Sequence, residues 1–236
     1  MVNKNLIELL KSISFIGFDI RRSPKSIESA FMPPERRSEC LLLPECSNVI
    51  SADRSIWPSV FYNQNEYQYV ENKFADDIII SEKISDDYFQ SFNLWEDLND
   101  MLLAYKESLT GDCGVVFGLV KPDYYENDFV SDSWFDAIYS DKGVVAQKTA
   151  VDWSLLGFDV VNSGFQSAIS GFIIKDKDAL KSKWADSINE HCLFNSRNQA
   201  LLYNKYFNLD NLVDGPFYTL AIFLLWDTTG ELHKKP

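Results

Sequence analysis

The chain is expected to fold as one α+β domain over residues 1–236, built on a mixed or mainly antiparallel sheet with packed helices. Strand-like and helix-like stretches alternate irregularly instead of repeating as βα units, and two helical stretches follow one another near residues 178–206. Hydrophobic content of 46% with 34 aromatic residues is enough for a packed core, and 236 residues can hold one large domain or two small ones. Glycine and proline are sparse, which argues against long flexible linkers. No internal repeat or low-complexity tract stands out.

Leu6, Leu9, Leu10 and Ile13 recur at helical spacing, so residues 4–14 read as a helix, followed by a short strand over 15–20. Five prolines punctuate the stretch to residue 58, and each removes a backbone donor, so 21–58 reads as an irregular arm with a short apolar run at 41–43. The arm can pack on its own chain or on a second copy. Ile78–Ile80 are β-branched and suit a strand. Leu94, Leu98, Met101, Leu102 and Tyr105 fall on one helical face with Glu96, Asp97, Asp100 and Lys106 opposite, and Gly111 and Gly114 lead into a strand at 115–120. Strands are expected at 144–151, 155–161 and 218–226, and helices at 178–189 and from Ser196, a suitable N-cap, to 206. Residues 228–236 form a polar tail.

The first 18 residues do not make a secretory signal, because Glu8 and Lys11 interrupt the apolar stretch and no small-residue cleavage site follows. Residues 215–226 are the longest apolar run. Twelve residues are too few for a bilayer, which needs roughly 20, so the run reads as a buried strand. A cytoplasmic protein without a membrane partner is expected. In that compartment Cys40, Cys46, Cys113 and Cys192 default to reduced buried thiols, with a Cys40–Cys46 bridge the conceivable exception. The charge balance argues against nucleic acid as a partner: the compact basic groups are Arg21-Arg22 with Lys25, and Arg36-Arg37, and both read as solvated loop charge.

Catalytic signatures are missing. The chain lacks GxGxxG, GxxxxGK[ST], GxSxG, HExxH, CxxC and EF-hand patterns, so phosphate-cradling, nucleophilic-serine and zinc readings have no anchor, and neither catalytic residues nor a cofactor or metal are assigned. Of two histidines, His233 lies in the polar tail. His191 adjoins Cys192 at the end of an expected helix, where neighbouring side chains point about 100° apart and cannot form a nucleophile pair. Asp152, Asp159 and Asp112 flank strands and read as solvated or turn-stabilising carboxylates.

The charge distribution is the strongest functional signal. The whole chain carries 35 acids and 22 bases, a net −13. Residues 76–141 hold 16 acids and 3 bases, also −13, which leaves 19 of each elsewhere. Within them, residues 122–141 contain six acids, six aromatics and no base. Tyr124, Tyr125, Phe129 and Trp134 interleave with Asp123, Glu126, Asp128, Asp132 and Asp136, so aromatic anchors sit among carboxylates that would steer a basic partner. The plain alternative is a solvated acidic face that keeps the protein soluble, with Trp134, Phe135, Ile138 and Tyr139 turned to the core.

A small acidic chain of this character, with the stretches LLGFDVVNSGFQSAISGF (155–172) and DGPFYTLAIFLLW (214–226), resembles bacterial immunity proteins of polymorphic-toxin and contact-dependent growth-inhibition systems. The two stretches cover 31 residues. The resemblance implies a cytosolic binding protein, not an enzyme, that neutralises a cognate protein toxin, basic and in many such systems a nuclease, by occluding its active site or a nearby surface. Two other classes remain open from the residues alone: a carboxylate- or metal-dependent hydrolase, and an acidic adaptor for a basic protein that is not a toxin.

Overall fold

The computed structural model describes residues 9–22, 50–52, 57, 59, 94–95, 98–104, 112–120, 153–162, 165–169, 182–210 and 217–227. Four strands form one sheet: β1 (Ile13–Arg22), β2 (Asp112–Val120), β3 (Ser154–Asn162) and β4 (Phe217–Asp227). Their order is β1-β2-β4-β3, and every neighbouring pair is antiparallel. The expected α+β character with an antiparallel sheet therefore holds for the described residues. Among the described residues, α1 (Leu98–Ala104) and α2 (Arg197–Asp210) accompany the sheet, and a 3-10 turn spans Ala185–Ser187.

Nearly every residue of the four strands is buried, because both faces of the sheet are covered. One face packs Phe18, Ile20, Val116, Phe158, Val160, Ala221 and Phe223 against Met101 of α1 and Ala200, Tyr203 and Phe207 of α2. Aromatic rings run through this layer: Trp184 and Phe194 have centroids 5.9 Å apart, Phe194 and Tyr203 5.1 Å, and Phe207 and Phe217 4.7 Å. The opposite face packs Val115, Phe117, Val161, Leu220 and Ile222 under Ile50, Ala52, Trp57 and Phe165, which come from connecting segments. Burial on both faces explains why the strands read as continuous apolar runs and not as alternating ones.

Several local expectations change. The chain is helical at residues 9–11 and turns at Ser12 into β1, whose Ile13 sits where the helix was expected to continue, and β1 runs to Arg22. Leu94 and Trp95 are not helical: Trp95 exchanges backbone hydrogen bonds with Phe18 (2.7 and 2.9 Å), and α1 starts only at Leu98. A cross-chain pairing for Trp95 satisfies its backbone as well as a helical turn would, and apolar spacing cannot separate the two. α2 starts as expected, with Ser196 Oγ accepting the N–H of Gln199 at 3.2 Å. The expected helix at 178–189 is described only from residue 182, and it gives way at once to the 3-10 turn. Strands expected at 78–80 and 144–151, the run at 41–43 and the tail lie outside the described residues. The apolar run ending at Trp226 is β4, and among the described residues no helix is long and apolar enough to cross a membrane.

Candidate functional site

The described part of the molecule concentrates its buried polarity on the face opposite the helices. Asp19 on β1 and Asp159 on β3 are completely buried. Each follows a bulge: the pairing slips at Ile16 in β1 and at Leu156 in β3, before Gly17 and Gly157. A bulge re-aims the side chains after it, which turns both aspartates under the connecting segments. Gly17 and Gly157 have φ of 153° and 149°, and a Cβ there would stand 2.5 Å from Leu94 Cβ and 2.6 Å from Leu193 Cβ, so only glycine fits.

Around Asp19, Oδ1 accepts the Ser59 hydroxyl (2.6 Å) and the Ile20 N–H (2.9 Å). Arg21 Nε lies 2.7 Å from Oδ2, an ion pair more than an aligned hydrogen bond. The rest of the guanidinium donates to the carbonyls of Trp57 and, at 3.2 Å, Ala52, and it lies over the rings of Phe117 (5.1 Å) and Trp57 (5.8 Å). Arg21 is thus completely buried, not a solvated loop charge as its neighbourhood in sequence suggests. Its position in a strand two residues after Asp19 places the two side chains on one face.

Around Asp159, Oδ1 accepts the Ser167 hydroxyl (2.7 Å) and the Val160 N–H (2.8 Å), while Oδ2 accepts the Ser51 hydroxyl and the Ala52 N–H, both at 2.9 Å. No cation is among these four donors, and burial outweighs them, pushing the carboxyl up to about 6 from an ordinary 3.8. Asp159, expected to be solvated or to stabilise a turn, is instead buried at the centre of a network. Asp112 is likewise buried, at the start of β2 opposite Arg22. Asp152 lies outside the described residues.

His191 and Cys192 sit in a turn instead of at a helix end. Asn189 Oδ1 accepts the N–H groups of His191 (3.0 Å) and Leu193 (3.1 Å), and Cys192 has φ of 59°. Cys192 is disulfide-bonded, which corrects the expectation that it is a reduced thiol. The compartment argument behind that expectation carries no information about which cysteines meet in the fold. Cys113 is a buried free thiol.

These groups join loops to strands. The hydroxyls of Ser51, Ser59 and Ser167 each donate to a carboxylate and are shut off from solvent, whereas a serine nucleophile must give its proton to a base while open to substrate. Among the described residues no three His, Cys, Asp or Glu side chains converge to hold a metal ion. Asp123, Tyr124, Tyr125, Glu126, Asp128, Phe129, Asp132, Trp134 and Asp136 all lie outside the described residues. Their segment connects β2, which ends at Val120, to β3, which begins at Ser154 beside Leu224. No protein-family model, curated protein or solved structure matches this chain.

Proposed function

We propose that this chain is an immunity-type binding protein that captures a basic toxin domain through the acidic aromatic connector at 122–141. The observation that carries the reading is the confinement of the entire −13 to residues 76–141, with a base-free core of six acids and six aromatics. Carboxylates so arranged steer a positive partner and set its register, while Tyr and Trp supply buried contact area.

The test is rescue. Cells expressing the toxin-like gene beside this one are expected to survive when the wild-type chain is co-expressed, and to die when Asp123, Asp128, Asp132 and Asp136 are all changed to Lys. Association of the purified pair is expected to slow with salt for the wild type and to lose most of that dependence in the variant. Full rescue by the charge-reversed chain, with an unchanged association rate, refutes the proposal.

A further inference from the structure

The chain contains a repeat that its sequence hides. Residues 14–23, SFIGFDIRRS, and 154–163, SLLGFDVVNS, match at five of ten positions: serine at both ends, and Gly, Phe and Asp at 17–19 and 157–159. The equivalence extends through the structure. Phe18 pairs with Trp95, and Phe158 with Phe194, and a helix starts three residues later in each case, at Leu98 and at Arg197. Arg21 bridges to Ser59 and Val161 to Ser167, and those two serines donate to Asp19 and Asp159 respectively. β1 meets β2 in the register with which β3 meets β4, so Phe117 corresponds to Ile222, Val116 to Ala221 and Gly118 to Phe223. The central seam obeys the same relation: Phe117 pairs with Ile222, flanked by Val116–Phe223 on one side and Gly118–Ala221 on the other. Exchanging the halves returns the same set of pairs, which is the signature of a two-fold axis.

The halves differ at one place on the buried polar face. Arg21 neutralises Asp19, and its counterpart is the apolar Val161. Asp159 instead takes Ser51 and the Ala52 N–H. These belong to a stretch peculiar to the first half: 34 residues, 23–56, separate Arg22 from Trp57, where two, 163–164, separate Asn162 from Phe165. Ile50–Ala52 touch both halves, since the Ile50 N–H donates to the His191 carbonyl (2.9 Å) and the Ala52 carbonyl accepts from Arg21.

We infer that the two halves are copies of one β–α–β unit related by a two-fold axis through the Phe117–Ile222 pair, and that Ile50–Ala52 is a clasp, added to the first copy, that fastens the two across their shared face. The axis makes the step from β4 to β1 geometrically equivalent to the step from β2 to β3. A circular permutant of the full chain, running 153–236, then 121–152, then 1–120, is therefore expected to unfold in a single cooperative urea transition with the m-value of the natural order. A permutant with no cooperative transition, or with a clearly smaller m-value, overturns the equivalence of the halves. For the clasp, Ser51→Ala in the natural order, and the stronger Ser51→Ala/Ala52→Pro, are read by hydrogen exchange. Amides of β1 and β3 are expected to lose protection together, on the order of tenfold. A change confined to one of the two strands, or to neither, overturns the clasp.

Discussion

Arg21 is the residue whose removal should be felt most. Changing Arg21→Met keeps much of the volume between Trp57 and Phe117 but deletes the cation 2.7 Å from Asp19 and the donors to two buried carbonyls. Asp19 would keep its bonds from Ser59 and the Ile20 N–H while its buried charge lost the guanidinium that pairs with it. Breaking a buried ion pair from one side typically costs about 3–5 kcal/mol, a large share of the roughly 5–15 kcal/mol that holds a protein folded. For a chain of this size the loss should lower Tm by about 6–20 °C. Pairing the change with Asp19→Asn removes the stranded charge, so the double variant should regain on the order of 2 kcal/mol relative to the sum of the singles. Urea unfolding of all four proteins, followed by tryptophan fluorescence and circular dichroism, completes the cycle. An Arg21→Met cost under about 1 kcal/mol, or simple additivity in the double variant, refutes the idea that this pair is a coupled buried unit.

Three further outcomes are expected. With its carboxyl pushed up to about 6, folded Asp159 binds its proton more tightly than the unfolded chain at 3.8, so its stabilising effect, on the order of 3 kcal/mol, is complete below pH 4 and is lost as pH rises through 6. The stability of the wild type relative to Asp159→Asn should therefore fall between pH 4 and 7, and a flat or rising difference in urea titrations contradicts the burial argument. Gly17→Ala and Gly157→Ala meet equivalent Cβ obstacles at 2.5 and 2.6 Å, and each should cost about 1–3 kcal/mol by thermal denaturation; a neutral result at either site defeats the close-packing account. Ser196→Ala should weaken α2 by about 0.5–2 kcal/mol through loss of the cap to Gln199, read as a lower urea midpoint without a change in m.

The four strands were legible because each is a long apolar run: the expected segments 15–20, 115–120, 155–161 and 218–226 all fall inside observed strands. Leu94 and Trp95 were read as helix because their spacing with Leu98 and Met101 is helical, and only the long-range partner Phe18 takes them away. Asp159 was singled out in the sequence, yet its burial was not, since a carboxylate beside a strand is ordinarily solvated. Asp19 and Arg21 do carry a signal in the sequence. The tripeptide Gly-Phe-Asp occurs twice inside apolar strands, and a charge embedded in a doubly covered strand has to be paired. The five identities of the repeat fall within ten residues, too short a match to rise above chance until the bulges and serine partners are superposed.

The strand order has a consequence for how the chain can be assembled. Among the described strands, β3 pairs with β4 alone, and β4 also separates it from β2. A nascent chain extended only as far as Asp210 would already hold β1, β2 and β3, with β2 and β3 each lacking the same missing neighbour. Translation must supply residues 217–227 before the sheet can close, so the first half can pair early but the second cannot begin without its final strand. Ribosomal stalling or truncation between these points would leave two long apolar edges open at once, the condition under which strands recruit other chains. Among the described strands β4 is made last, and it is the one whose arrival closes the sheet.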